Sequence, residues 1–268
     1  MSLRRLVSLA ALAALTACSP GERPDAAEAE GEWIDLTHAL GPDTIFWPTA
    51  DPYVHEKVFA GTTEAGYYYS TYNLALSEHG GTHLDAPVHF AEGRQGADEV
   101  PLDRLIGPAA VIDVTAAAEA DADYRVTRKD VLDWEAANGP LPEGAIVLVR
   151  TGFAKRWPDA ASYLGTVLKG DTGVAALHFP GLSEEAARLL AEERDIAAVG
   201  IDTASIDYGQ SRDYIAHRVI LGRDIPVFEN VADMAALPAT GATVVALPAK
   251  VKDGSGAPLR IVARLPAD

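Results

Sequence analysis

Short apolar runs recur along the chain between polar, glycine and proline residues, which is the pattern of buried or half-buried β-strands. We predict strands at eight of these runs, residues 33–36, 67–76, 110–114, 145–150, 197–201, 226–228, 243–247 and 259–263. Two other segments carry a helical pattern. Thr127 followed by Asp130 indicates a helix start, and residues 183–194 form an amphipathic helix with apolar positions at Ala187, Leu189, Leu190 and Ala191.

Strands interspersed with helices predict an α/β fold. Order is expected to begin near residue 33, and no repeat or linker is visible after residue 32. One domain over residues 33–268 is therefore the economical prediction. Residues 18–32 are rich in proline, alanine and glutamate without apolar periodicity, which predicts a flexible tether.

The first residues have the features of an export signal. Arg4 and Arg5 precede an apolar run at residues 6–15 that is too short to span a bilayer. The run ends in Leu-Thr-Ala-Cys, which resembles the lipobox of bacterial lipoproteins. We therefore predict a signal peptide at residues 1–17 and lipidation of Cys18, with the protein anchored on the periplasmic side. The alternative is an ordinary secretory signal in which Cys18 is incidental.

Charge and cysteine content exclude several classes of function. The formal net charge is −17, and so acidic a chain repels phosphate backbones, which disfavours nucleic-acid binding. Contact with a membrane is expected only through the lipid anchor. Since Cys18 is the single cysteine, a disulfide within the chain and cysteine catalysis are both excluded. No G-x-S-x-G elbow occurs, which disfavours a serine hydrolase.

The chemistry of the chain is concentrated at residues 79–89. Three of its seven histidines lie there with an aspartate, at the spacing H-x3-H-x-D-x3-H. The pair Gly80-Gly81 argues against a helix and lets the backbone turn while the imidazoles converge. Imidazole with carboxylate suits zinc or manganese. A single histidine is more often a satisfied polar residue, but this clustering predicts a metal site.

Residues 79–90 resemble the G-T-H-x-D-x-P-x-H signature of the cyclase-type metal-dependent hydrolases, a family that includes bacterial kynurenine formamidase and isatin hydrolase. The likeness extends to Trp-Ile-Asp-Leu-Thr-His at 33–38, Val-Gly-Ile-Asp-Thr at 199–203 and Phe-Glu-Asn at 228–230. The resemblance implies a single domain with a mixed β-sheet or half-barrel flanked by helices, a swivelling β/β/α fold. It also implies a homodimer or homotetramer.

The resemblance assigns roles to individual residues. It implies one or two divalent ions, Zn²⁺ or Mn²⁺, and the family's ligand positions match His79, His83 and Asp85 for a first ion, with Asp85 bridging to a second ion held by His217 and Glu229. His89 matches the residue that moves protons, although it could be a further ligand. The substrate-pocket positions match Phe46, Trp47 and His178, and for Phe46 and Trp47 ordinary core packing is an equal alternative.

Other polar residues have weaker expectations. His38 and His55 are expected to be structural or surface residues. Asp202 and Asp207 either orient metal ligands or cap turns.

These features predict a metal-dependent hydrolase of a small-molecule substrate that cleaves a non-peptide C–N amide bond, in an arylformamide or a cyclic amide such as isatin. Two alternatives are a lactone hydrolase on the same scaffold and a non-catalytic periplasmic lipoprotein that binds metal or a small ligand. Export makes kynurenine itself a less natural product. Residues 209–211 and 246–250 are more similar to the isatin-hydrolase side of the family.

Overall fold

The computed structural model describes residues 31–267. The predictions for the signal peptide, for Cys18 and for most of the tether lie outside the described residues. The residues from Gly31 onward form one compact unit. None of the described helices is long and apolar enough to cross a bilayer.

Twelve strands are described. They are β1 (Trp33–Asp35), β2 (Val54–Thr62), β3 (Tyr68–Ala75), β4 (His83–Asp85), β5 (Ile106–Asp113), β6 (Arg125–Val126), β7 (Ala145–Arg150), β8 (Gly181–Leu182), β9 (Ile196–Ile201), β10 (Val227–Glu229), β11 (Thr243–Pro248) and β12 (Gly256–Arg264). Eight of them form the main sheet in the order β1-β12-β11-β5-β7-β9-β10-β4. A further pairing of β12 with β4 closes seven of these strands into a barrel-like ring.

The sheet is mixed. Strands β5, β7, β9 and β10 run parallel, and the pairings of β4, β11, β12 and β1 are antiparallel. The α-helices are α1 (Thr115–Ala120), α2 (Arg128–Asn138), α3 (Ala160–Tyr163), α4 (Gly170–Ala175), α5 (Glu184–Glu193) and α6 (Ile215–Leu221). The predicted single α/β domain with a mixed, barrel-like sheet flanked by helices is confirmed.

Two cores cover the two faces of the sheet. Along β7, Ala145, Val147 and Val149 pack on the side of α2, α5 and α6. Ile146 and Leu148 pack on the opposite side. A strand that is buried on both faces shows a continuous apolar run rather than alternation, which explains why residues 145–150 were recognisable as a strand.

The predicted elements are present, and the differences lie in their lengths and in elements that were not predicted. The strands predicted at 110–114 and 259–263 begin earlier, at Ile106 and Gly256. Strand β2 was not predicted, although it is nine residues long and pairs with β3 in an antiparallel hairpin. Its residues are mostly exposed, so no core face imposes the apolar pattern that sequence analysis depends on.

The start of α2 is built as the sequence predicts. The Thr127 hydroxyl accepts a hydrogen bond from the Asp130 amide at 3.2 Å, and the Asp130 carboxylate accepts one from the Thr127 amide at 2.7 Å. This reciprocal capping box satisfies two backbone donors that a helix end leaves free.

We expect Thr127→Ala to lower the free energy of unfolding by about 1 kcal/mol, because the N-cap hydroxyl is lost. Thr127→Ser keeps that hydroxyl and is the matched control. Urea denaturation followed by circular dichroism measures both variants. Equal midpoints for the alanine and serine variants would contradict the capping role.

Candidate metal centre

The histidine segment is held in place by strand pairing. Within it, β4 lies between β10 and β12, so its backbone is paired on both sides. Gly81 has a φ of 63°, a left-handed conformation that favours glycine. At Gly80, an added Cβ would lie 1.9 Å from the ring of Phe46. The two glycines therefore allow the tight approach that brings the histidines into the barrel wall.

The side chains of this segment converge on Asp85. His79 Nδ1 lies 2.6 Å from Asp85 Oδ1, and His83 Nε2 lies 3.2 Å from the same oxygen. The side chains of His83 and Asp85 are buried. All three residues predicted for the first ion are therefore neighbours in the structure.

The two distant predicted ligands reach the same point from other elements. His217 belongs to α6, and Glu229 ends β10, where its backbone pairs opposite His83. His217 Nε2 lies 3.1 Å from Asp85 Oδ2 and 3.1 Å from Glu229 Oε1. Residues separated by more than 130 positions in sequence thus form one cluster around Asp85.

Two of the imidazoles have their far nitrogens occupied by acceptors. His217 Nδ1 lies 2.7 Å from the Asp207 carboxylate, and His83 Nδ1 lies 2.9 Å from the Gly81 carbonyl. A neutral imidazole that donates from Nδ1 presents its lone pair at Nε2. In the neutral form of either residue that lone pair would face Asp85 and Glu229, which is the arrangement metal-binding histidines require.

Burial and charge act in opposite directions on the pKa values here. Burial alone would raise the pKa of Asp85, but hydrogen bonds from His217 and His79 bring it well below its usual value. For Glu229, burial and the charge of Asp85 raise the pKa. Burial would lower the pKa of His217, yet hydrogen bonds to Asp207, Asp85 and Glu229 raise it well above the ordinary value. The two carboxylates therefore attract positive charge strongly.

The donor set fits a divalent cation. Ligands about 2.1 Å from one ion lie roughly 3 to 3.5 Å apart, and the atoms of His83, Asp85 and Glu229 are close to that separation. They lie within 4.8 Å of one another. His83 Nε2 is buried without a hydrogen-bond partner among the described residues. An orphaned lone pair beside two carboxylates is what a bound cation would satisfy.

His89 lies at the edge of this cluster. Its ring stacks on His79 with centroids 4.0 Å apart. Burial, and the charges of neighbouring histidines, lower the pKa of His89 to about 4 despite the opposing effect of Asp85. Its imidazole is therefore neutral at neutral pH and able to accept a proton. His89 also falls within ligand distance of His79 and Asp85, so the geometry accommodates both roles given to it above.

A cavity of about 450 Å³ opens onto the cluster. Phe46 and Trp47, two of the residues predicted for the substrate pocket, line it, and Phe90 and Tyr214 add two further aromatic rings. Tyr214 was not singled out from the sequence. The one local signal for it is a left-handed backbone with a φ of 49° at the residue before α6, which a sequence does not display.

His178, the third residue predicted for the substrate pocket, is not among the residues that line this cavity. Its ring Nδ1 lies 2.9 Å from Asp123 and 2.7 Å from the Gln210 amide nitrogen, on the protein surface. Gly165 packs directly against its backbone. This packing and the Asp123 contact hold the ring outside the cavity.

The other polar residues named in the sequence analysis differ in what they contact. Asp207 contacts His217, whereas Asp202 accepts hydrogen bonds from the Thr151 amide and hydroxyl. Asp202 therefore braces the loop after β7. His38 stacks on Trp157 at 4.2 Å, and burial lowers the pKa of His38 to about 4.

Asn230, the last residue of the Phe-Glu-Asn likeness, contacts the histidine segment but was given no role from the sequence. The side-chain amide of Asn230 donates to the Gly81 carbonyl at 2.8 Å, and the backbone carbonyl of Asn230 accepts from the Thr82 hydroxyl at 2.6 Å. It ties the histidine segment to the end of β10. The signal available was its place directly after Glu229.

Comparison with known proteins gives a consistent result. The family model described as "Putative cyclase" matches residues 34–208, more than half of the chain. An isatin hydrolase from Roseibium aggregatum is 30% identical over 251 residues, which cover 88% of this chain and 93% of that protein. A kynurenine formamidase from Salinibacter ruber is 30% identical over 233 residues, covering 86% of this chain and 96% of that protein.

Solved structures agree with the sequence matches. An isatin hydrolase bound to the product analogue thioisatinate superposes with a TM-score of 0.80 at 29% identity, covering 89% of this chain and 94% of that chain. Isatin hydrolase A from Labrenzia aggregata, bound to benzyl benzoate, gives a TM-score of 0.79 at 34% identity, covering 88% and 94%. The chain therefore belongs to the cyclase family and is a hydrolytic enzyme.

Proposed function

We propose that the protein is a divalent-metal-dependent hydrolase that cleaves a non-peptide C–N amide bond in an arylformamide or a cyclic amide such as isatin. One observation carries the proposal: three imidazoles and two buried carboxylates meet at the wall of an aromatic-lined cavity, beside a neutral histidine. The names of the related proteins, isatin hydrolase and kynurenine formamidase, support the amide substrate class.

Each residue of the cluster has a role in this chemistry. A bound divalent cation lowers the pKa of a water from about 15.7 to roughly 7 and polarises a carbonyl oxygen. His79, His83 and Asp85 would hold a first ion, and His217 and Glu229 would complete a second site that shares Asp85. Imidazole and carboxylate donors suit Zn²⁺ or Mn²⁺.

His89 is the proton carrier in this proposal. Because burial keeps its imidazole neutral, it can take a proton from the attacking water and deliver it to the leaving nitrogen. Its ring stacks on His79, which places it beside the cation-binding side chains. Cleavage of an amide requires that the leaving nitrogen be protonated. The leaving atom of a lactone is an oxygen, so no nitrogen has to be protonated.

The cavity wall favours a flat aryl substrate. Phe46, Trp47, Phe90 and Tyr214 are among the residues that line the cavity, and aromatic rings prefer offset-stacked or edge-to-face partners. An N-formyl aryl amine and isatin both present such a ring next to the amide to be cleaved. A small aliphatic lactone has no aromatic ring to stack.

We expect the metal-loaded protein to hydrolyse isatin or N-formylkynurenine. Treatment with a chelator should abolish turnover, and Zn²⁺ or Mn²⁺ should restore it. A spectrophotometric assay of both amides beside a lactone panel measures this. Turnover that survives the chelator, or turnover of lactones alone, would contradict the proposal.

His89→Ala should lower kcat by about 100-fold or more, the range that general acid–base catalysis contributes, while bound metal per chain stays unchanged. His178→Ala is the matched control, since its ring lies outside the cavity, and it should retain wild-type kcat. The measurements are steady-state kinetics and elemental analysis. Metal loss in the His89 variant would assign His89 as a ligand instead.

We also propose that the protein is exported and lipid-anchored at Cys18, and that it works as a homo-oligomer. The basic residues, apolar run and Cys18 at the N-terminus support the first part. The β2–β3 hairpin supports the second, because eight of its large apolar side chains, counting the turn, are exposed: Val54, Val58, Phe59, Tyr67, Tyr68, Tyr69, Tyr72 and Leu74.

A second copy of this chain is the partner that fits the exposed apolar surface of the hairpin. Aromatic side chains carry about 150–250 Å² each, so the exposed fractions of the five aromatic residues amount to roughly 500 Å². The three aliphatic residues bring the total toward the roughly 800 Å² that one partner buries in a standard interface. Residues 54–75 contain only two carboxylates, Glu56 and Glu64, in a chain with 39. Because the hairpin carries few carboxylates, electrostatic repulsion between two acidic copies is weakest when they meet there.

We expect the double variant Tyr68→Ser, Leu74→Ser to shift the assembly to monomer. The matched control is Val167→Ser, Leu168→Ser, which also replaces two exposed apolar residues but lies outside the hairpin. Light scattering after size exclusion measures the mass. A monomeric wild type, or an unchanged mass in the hairpin variant, would refute the role of the hairpin.

A further inference from the structure

The far nitrogen of His79 contacts a turn that the proposed mechanism does not use. His79 Nε2 lies 2.9 Å from the hydroxyl of Ser255, in the turn Gly254-Ser255-Gly256 that leads into β12. The same hydroxyl lies 2.8 Å from Glu78 Oε2. Glu78, Ser255 and His79 therefore form a continuous chain of hydrogen bonds that ends at Asp85.

The direction of this chain follows from the proton inventory. A carboxylate only accepts, and a serine hydroxyl has one hydrogen to donate. That hydrogen is on the bond to Glu78, so Ser255 must accept from His79 Nε2–H. The other ring nitrogen, Nδ1, is the atom that lies 2.6 Å from Asp85, on the side of the predicted metal ligands.

The turn is fitted closely to the histidine. Glu78 Oε2 also accepts from the backbone amides of Ser255 at 3.0 Å and Gly256 at 3.3 Å. A Cβ on Gly256 would lie 2.5 Å from His79 Cε1, so a side chain at that position would displace the ring. Glu78 thus fixes the turn, and the turn fixes the imidazole.

We propose that Glu78 and Ser255 are positioning residues that hold His79 as an Nδ1 metal ligand. The inference rests on the proposed metal centre. It gives His79 the same kind of support that Asp207 gives His217 and the Gly81 carbonyl gives His83. All three imidazoles then have one nitrogen tied to the protein and the other directed at the cation.

Metal affinity tests the proposal without an activity assay. Ser255→Ala should weaken Zn²⁺ binding by about 10- to 100-fold, the range for loss of a group that orients a ligand. Ser255→Thr retains a hydroxyl and should recover most of the affinity. Glu78→Gln keeps an acceptor but loses the charge, so its affinity should fall between those of the wild type and the alanine variant.

The matched control is Ser162→Ala, which removes another serine hydroxyl that donates to a carboxylate, Asp159, at 2.8 Å on the surface. Its Zn²⁺ affinity, measured by competition with a chromophoric chelator, should equal that of the wild type. Equal affinities for Ser255→Ala and the control would overturn the role of Ser255. Equal affinities for Glu78→Gln and the wild type would overturn the role of Glu78.

A second measurement decides the matter even if the wild-type protein binds no divalent metal and the proposed function fails. In nitrogen-15 NMR spectra of the metal-free protein, His79 Nε2 should carry a proton that exchanges slowly. Ser255→Ala should make that proton exchange rapidly. Fast exchange in the wild type, or slow exchange in the variant, would refute the hydrogen-bond chain.

Discussion

Burial of two carboxylates in one wall of the barrel is the constraint on which the rest of the site depends. Asp85 and Glu229 are both almost fully inaccessible to solvent. Removing such charges from water costs several kcal/mol per ion unless they are compensated. No lysine or arginine is among the described residues that line the cavity. Imidazoles therefore supply the compensation that the described residues offer to the two charges, and a divalent cation would complete it.

The strand order explains how these charges come together. Antiparallel pairing of β4 with β10 sets Glu229 opposite His83 and Asp85 opposite Val227. Pairing of β4 with β12 sets Gly256 opposite Asp85, which brings the Ser255 turn against His79. Closure of the ring at β4 therefore brings the predicted ligands close to the residues that hold them in place. A metal site built on strands is held more rigidly than one built on loops alone.

Sequence analysis succeeded where the determinants are local. The predicted ligands His79, His83 and Asp85 lie within seven residues, and the strand at 145–150 is marked by burial on both faces. The pairing of His217 and Glu229 with them came only from family resemblance, because contacts across more than 130 residues depend on strand order. The hairpin strand β2 and the cavity residue Tyr214 left no pattern, since one lacks a core face and the other depends on backbone conformation. His178 lies outside the cavity lining and beside Asp123, a contact that motif spacing does not reveal.

The most direct test of the metal centre is a crystal structure of the protein grown with Zn²⁺ or Mn²⁺, with anomalous diffraction recorded at the edge of that metal. The account predicts a peak about 2.0 to 2.2 Å from His79 Nδ1, His83 Nε2 and an Asp85 oxygen. A second peak near His217 and Glu229 would define a two-ion centre. An absence of anomalous density between these side chains, or an ion bound through His79 Nε2, would contradict it.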